Sequence, residues 1–311
     1  MKILIVCSAN SGEIPTFVQE QEEALKLLGM ETDYFLIQQK GITGYMRERK
    51  GLMLKISSFN PDLIHAHYGL SGLLANLQTK TPVITTYHGC DINKASLRVL
   101  SIITILLSKY NIFVSNKQVG FVKPFLNEYA VIPCGVNYSV FYPISKAVAR
   151  IKLGIAPEKK IVLFSSTFDR FEKNASLAFG AVKLLKDVEI VELKGYNRDE
   201  VCLLMNACDA GLLTSIREGS PMFIKELLAC NRPMISTNVG DVEELIKDIA
   251  GCYIVPFDEE ETAKALASAF LHETIQVPEI VLNKNDNQRI AKQIIEVYKS
   301  VLLKNKINNN E

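Results

Sequence analysis

The sequence predicts an α/β protein of parallel sheets arranged in two domains. Three observations carry this. Short apolar runs rich in β-formers alternate with helical patterns from the N-terminus onward, the mark of βαβ units. The pattern starts afresh at KKIVLFSS (159–166), after an extended stretch closed by Pro143. And 311 residues are enough for two cores of common size.

In the first half the strands read KILIVC, TDYFLI, DLIHAH, PVITTY, NIFVS and YAVIP. Helical patterns lie between them at 16–28, 44–57, 70–78, 94–108 and 116–126. In the second half, strand 159–166 is followed by helix 175–186, the strand in DVEIVELKGY, helix 198–207 and strand 209–214. A helix after Pro221, a strand ending at Ser236 and Thr237, strand 252–255, helix 258–271 and a last helix over 284–304 complete it. The final KNKINNNE is polar and expected to fray. In open parallel sheets the ligand lies beyond the carboxyl ends of the strands, so the loops there carry the chemistry.

Composition excludes several classes. Hydrophobic residues at 48% and charged residues at 22% suit a soluble globular chain. A net charge of +1 gives no overall pull toward nucleic acid, and no nucleic-acid motif occurs. The apolar run in MKILIVCSAN is too short for a signal peptide. The longest other run, VLSIITILL (99–107), falls far short of the ~20 residues of a bilayer span. Seven cysteines without a CxxC pair point to reduced thiols and a cytoplasmic protein.

The stretch REGSPMFIKELLACNRPMISTNV (217–239) is the densest in signals. Glu218 precedes a turn at Gly219, Ser220 and Pro221, and Met222, Phe223, Leu227 and Leu228 suit one helix face. Pro221 is expected at the first helical position, where its missing N–H costs nothing. The free amides of that turn and the helix dipole make a site for a phosphate. Glu218 and Glu226, eight apart, are placed to hold two sets of hydroxyls; on spacing alone, solvated acids on an amphipathic helix are the better explanation. His65 and His67 face the same way along a strand. A metal reading finds no third ligand at a recognisable spacing and no Asp-x-Asp motif. His88 follows a strand and is itself followed by Gly89 and Asp91. Segment 42–58 sets Arg47, Arg49, Lys50 and Lys55 beside an apolar face, which fits either peripheral docking on an anionic membrane or a solvated helix packed on the sheet.

These segments together resemble retaining glycosyltransferases of the GT-B fold, glycosyltransferase family 4 in particular. Residues 218–235 follow EGxPxxxxEAxAxGxPVI, with Leu227 for the usual Ala and Asn231 for the usual Gly. His88 to Asp91 matches HGxD, His65 and His67 match an H-x-H, and GDVEEL (240–245) is similar to GGxxEL. YAVIPCGVNYSVFYP (129–143) is close to vIPNGVDxxxFxP, with Cys134 for Asn and Asn137 for Asp. Lys173 and Asn174 fit the Lys-Gly end of GRLxxxKG, but Thr167 stands at the Arg position and Arg170 is the nearest guanidinium. Gly12 stands alone in the first loop, where a glycine pair is usual.

The resemblance implies two facing Rossmann-like, doubly wound domains with an interdomain cleft. Residues 1–142 would take the acceptor, 143–283 the nucleotide sugar, and a helix in 284–311 would cross back to the first domain. It implies transfer of a sugar, with retention, from a nucleoside-diphosphate sugar to a glycan or lipid-linked acceptor. His88, Glu218, Lys173 and Arg170 would serve catalysis. Gly12, Lys194, Gly195, Tyr196, Gly219, Ser220, Pro221 and Glu226 would bind the donor, with Glu226 on the ribose and Lys173 on the diphosphate. His67 and Asp91 would lie on the acceptor side. No metal and no cofactor is expected, the departing phosphate itself taking the acceptor's proton. Two rival readings are a non-catalytic GT-B partner protein, supported by Thr167 and the thin glycine loop, and another nucleotide-sugar enzyme such as an epimerase.

Overall fold

The computed structural model describes residues 1–10 and 12–308. It forms two compact units, one comprising Met1–Gly135 with the segment from Asn287 onward, the other Val136–Asp286. The sequence reading set these crossings at 142/143 and 283/284.

Unit 1 runs β1 (Lys2–Ser8), α1 (Thr16–Leu27), β2 (Glu31–Ile37), α2 (Gly41–Arg47), α3 (Arg49–Phe59), β3 (Leu63–His67) and α4 (Gly69–Ala75). It continues with β4 (Val83–Tyr87), α5 (Cys90–Asn93), α6 (Ala95–Leu107), β5 (Tyr110–Phe113), α7 (Asn116–Val122) and β6 (Tyr129–Val131). The strands are parallel in the order β2-β1-β3-β4-β5-β6. Successive residues of β1 point to opposite faces, and both faces are covered. Ile3, Ile5 and Cys7 join Val18, Ala24 and Leu25 of α1 on one side. Leu4 and Val6 join Tyr45, Leu52 and Ile56 of α2 and α3 on the other. The pattern at 44–57 is thus two helices meeting at Glu48, not one.

Unit 2 runs α8 (Lys146–Leu153), β7 (Lys160–Phe164), α9 (Ala175–Lys183), β8 (Val188–Val191), α10 (Arg198–Ala207) and β9 (Ala210–Leu213). Then come α11 (Met222–Ala229), β10 (Met234–Thr237), α12 (Val242–Ile246), β11 (Cys252–Val255), α13 (Glu259–Ala269) and α14 (Glu279–Asn285). Its parallel strands order as β11-β10-β9-β7-β8. Ile161, Leu163, Leu213 and Met234 face one core cluster, Val162, Phe164, Leu212 and Ile235 the other. Asn197 caps α10 in a reciprocal box with Glu200, which satisfies two amides that the helix start leaves open.

The last helix, α15 (Asn287–Asn308), belongs to unit 1. It buries Ile290, Ala291, Ile294, Ile295, Tyr298 and Val301 against the α1 side of the sheet, one stripe of a 3.6-residue period. Asn287 Nδ2 donates to the Glu20 carbonyl at 2.6 Å. Helix continues through the polar stretch expected to fray as far as Asn308, and residues 309–311 lie outside the described residues.

Each sheet has one point where the chain reverses its direction of winding. In unit 1 it lies between β1 and β3, in unit 2 between β7 and β9. Loops leaving adjacent strands there part to opposite faces, which opens a crevice at their carboxyl ends.

Candidate functional site

At the unit 2 reversal, the loop after β7 meets the loop after β9. Lys173 ends a short 3-10 turn (Phe171–Lys173), and Asn174 follows in the left-handed conformation, φ 52°. Thr214 Oγ1, at the end of β9, donates to the Lys173 and Asn174 carbonyls at 2.8 and 3.0 Å, and the Ile216 N–H donates to the Glu172 carbonyl at 2.9 Å. The two loops are thereby tied. Across them Lys173 Nζ lies 2.6 Å from Glu218 Oε1, which also accepts from Ser215 Oγ at 2.7 Å. The result is a fixed ammonium–carboxylate pair, both side chains mostly but not wholly buried. Arg170 is exposed at the head of the same turn. Thr167 is uncharged and cannot stand in for a guanidinium; its hydroxyl donates to Asp169 at 2.5 Å.

Beyond Glu218 the chain turns at Gly219 and Ser220, and α11 begins at Met222. Pro221 is therefore the N-cap, one place earlier than the sequence reading put it. The role is similar, since proline lacks the N–H that would go unpaired there. A Cβ on Gly240, φ 55°, would lie 2.6 Å from the Gly219 carbonyl oxygen, so the β10–α12 loop packs directly on this turn. Ser220 Oγ donates to Asp241 Oδ2 at 2.6 Å, and Lys225, fully buried, lies 3.8 Å from the same oxygen. A carboxylate balanced by an ammonium already stands beside the turn.

Glu226 is buried on α11 and paired with Arg198 Nη2 at 2.8 Å. Burial pushes its carboxyl up, and the Arg198 charge and hydrogen bond pull the other way. The guanidinium stacks over Phe141, 4.4 Å from the ring centroid. Arg198 is the first residue of α10, separated only by the cap Asn197 from the exposed Lys194, Gly195 and Tyr196; Gly195 has φ 78°, which a side chain would strain.

Sequence reasoning missed Arg198, Ser215 and Arg217. The Nε of Arg217, next to Glu218, is buried with no hydrogen-bond partner. For Arg198 the signal was the Asn197/Glu200 capping box, which fixes the helix start, yet nothing in the sequence pairs that start with Glu226.

At the unit 1 reversal, three histidines stack. His65 and His67 ring centroids lie 4.5 Å apart, His67 and His88 5.2 Å. His67 Nδ1 meets His88 Nε2 at 2.9 Å, and His88 Nδ1 meets Cys134 Sγ at 3.6 Å. His65 bonds Tyr298 of α15 at 2.6 Å and Thr86 at 2.7 Å. Burial holds His65 and His88 down to about 3 and also pushes His67 well below the usual histidine range, which favours the neutral form of all three. His67 Nε2 is left buried without a partner. His88 thus has both ring nitrogens engaged, while Phe17 and Tyr68 pack on its ring.

Asp91 accepts from the amides of Gly89 at 2.9 Å, Gly69 at 3.2 Å and His88 at 3.3 Å. Burial raises its carboxyl to about 6, against the pull of these amides. It orders the loops after β3 and β4, where Tyr68 is held at φ 74°, a strained value for an aromatic residue. Asp91 also lines a mainly apolar cavity of about 340 Å³ with Tyr45, Tyr68, Leu70, Leu97 and Leu100. Ser8, Asn10 and Pro15 of the first loop reach the same cavity; Gly12, φ 102°, turns that loop with open space around it.

In segment 42–58, Tyr45, Leu52 and Ile56 are buried in the core, leaving Ile42 and Leu54 outward. Lys55 is paired with Asp33. Among the described residues no group of three His, Cys, Asp or Glu could hold a metal ion, and no helix is long and apolar enough to cross a membrane.

Residues 17–140 match the family model described as Glycosyltransferase Family 4, and residues 169–272 the one described as Glycosyl transferases group 1. The chain is 25% identical over 262 residues to a putative teichuronic acid biosynthesis glycosyltransferase, TuaC, of Bacillus subtilis. That match covers 73% of this chain and 66% of the relative, just under two thirds of its length. Among solved structures, sucrose-phosphate synthase of Thermosynechococcus elongatus aligns with TM-score 0.81 at 16% identity, over 97% of this chain and 99% of that one. HepE of Anabaena in complex with UDP-glucose aligns with TM-score 0.73 at 15% identity, over 96% and 100%. With both models matching in tandem on two parallel-sheet α/β units, this chain is a GT-B protein of the group 1 glycosyltransferases, resembling glycosyltransferase family 4.

Proposed function

We propose that the chain is a glycosyltransferase of glycan biosynthesis that moves a sugar from a nucleoside-diphosphate sugar to a glycan or lipid-linked acceptor, with retention and without a metal ion. The observation that carries this is the pair of acids on either side of the α11 start, each with its own cation: Glu218 with Lys173, Glu226 with Arg198. A nucleotide sugar has two hydroxyl-bearing ends joined by an anionic diphosphate. Carboxylates accept from hydroxyls, and fixed cations stabilise the charge that develops on the departing diphosphate. In this reading Glu226 holds the ribose, Glu218 orders the transferred sugar, and Lys173 with Arg170 meets the diphosphate. The nucleobase lies along 194–196, and the departing phosphate accepts the acceptor's proton. The UDP-glucose complex of HepE supports the donor class. The acceptor is assigned to unit 1, around His67, His88 and Asp91.

Thermal melting with a panel of nucleoside diphosphates and nucleotide sugars, with and without EDTA, tests the reading. A nucleotide should raise the melting temperature of the wild type regardless of EDTA, and lose its effect in Glu226→Ala. Lys173→Ala should keep binding and lose turnover, by about 10²–10³-fold for one charge-stabilising donor. Thr167 at the place of the usual Arg, and the lone Gly12 in the first loop, favour a second reading, a GT-B protein that binds without catalysis. Release of free nucleotide on adding acceptor decides between them.

A further inference from the structure

Helix α6 reads ASLRVLSIITILL, and its outer face carries Val99, Ile103, Leu106 and Leu107, exposed by 62, 43, 56 and 48%. These positions recur at helical spacing, so they form one apolar stripe. Beyond its flank, Arg98 lies over the ring of Phe121 at 4.4 Å, and Phe121 and Phe125 are exposed in turn. A soluble surface seldom leaves so many large apolar groups together without a partner.

The charge around the stripe identifies that partner. Residues 92–127 contain five basic side chains, Lys94, Arg98, Lys109, Lys117 and Lys123, and no acidic one. The acids that bracket the segment are both engaged: Asp91 is buried among backbone amides and Glu128 is held by Lys304 at 2.7 Å. An apolar stripe on a segment whose charged side chains are all basic complements a surface that is anionic outside and apolar within. From this we propose that unit 1 docks on an anionic phospholipid bilayer through α6, α7 and the Phe121–Phe125 turn, with Val99, Ile103, Leu106 and Leu107 entering the headgroup boundary and Lys109 and Lys123 meeting lipid phosphates.

This contact is separate from segment 42–58, whose apolar face is spent on the core. Leu97 and Leu100 of the same helix line the cavity that Asp91 borders, so docking sets that cavity at the lipid boundary. The docking surface does not depend on the donor site of unit 2, and the two fail separately.

Co-sedimentation of the full chain with vesicles of phosphatidylglycerol and phosphatidylcholine, against pure phosphatidylcholine, tests it. Binding should require the anionic lipid and fall as salt rises. Ile103→Glu with Leu106→Glu should abolish it, and Lys109→Glu with Lys123→Glu should weaken it by roughly fivefold or more per site. Leu54→Glu should bind as the wild type does. All positions are solvent-exposed, and unchanged melting of each variant verifies folding. Equal sedimentation with neutral vesicles, or full binding by the α6 variant, overturns the proposal. So does a shift of oligomeric state in that variant without a change in vesicle binding, which would make the stripe a self-contact.

Discussion

Glu226 shows how much one side chain's neighbour decides. Its carboxylate is buried, and only Arg198 makes the ionised form tolerable. Arg198→Ala should therefore cost about 2 kcal/mol or more of stability by stranding the acid, as measured by urea unfolding. Adding Glu226→Gln should return part of that loss without returning nucleotide affinity. The histidine cluster gives a pH prediction of definite sign. His65 and His88 stay neutral in the fold down to about 3, whereas the unfolded chain takes up their protons below about 6.5. Between those values protons favour the unfolded state, so stability falls as pH drops, on the order of 1 kcal/mol per pH unit for each histidine. Asp91, raised to about 6, works oppositely between about 4 and 6 and offsets about one of them. Unfolding of His88→Gln followed from pH 7 to pH 4 should show a shallower decline than the wild type; an identical decline would mean that His88 is charged in the fold.

Among the elements, the loops after β7, β9 and β10 act as one assembly. Thr214 ties the first two, Thr237 Oγ1 donates to the Ser215 carbonyl at 2.7 Å, and Gly240 lets the third pack on Gly219. A methyl group at Gly240 would meet the Gly219 carbonyl and the Pro221 ring, neither of which can swing away, and its positive φ adds strain. Gly240→Ala should thus push the Gly219–Pro221 turn outward, costing about 1–3 kcal/mol and weakening nucleotide binding. A calorimetric titration equal to wild type would show that the turn does not shape the donor site.

On the scale of the whole molecule, each unit has its own core. Residues 136–286 enclose two apolar clusters without help from the rest of the chain. That fragment should fold alone and bind the donor nucleotide, which circular dichroism and thermal shift can check. Unit 1 differs, because its core is completed by α15 from the far end of the sequence. Ending the chain at Asp286 should expose Ile3, Ile5 and Leu25, and leave unit 1 aggregating or proteolysed while unit 2 stays folded. Tyr298→Phe is the mild version, removing one buried hydrogen bond to His65 at a cost of about 1 kcal/mol.

The sequence by itself determined the order of the strands and of most helices, the two parallel sheets, and the placing of Glu218, Lys173 and His88 in loops and turns after strands and of Glu226 on the helix that follows Pro221. These follow from local pattern: apolar runs, periodicity and turn residues act over a few positions and need no knowledge of distant partners. Only the tertiary structure decided which charges meet. The partners of Glu218 and Glu226 lie 45 and 28 positions away, and an ion pair leaves no periodic trace. The same holds for the neutral histidine stack, since burial rather than residue identity sets those protonation states, and for the outward face of α6. That helix reads in sequence as an ordinary apolar segment; its outer stripe is visible only once the sheet has claimed the other side.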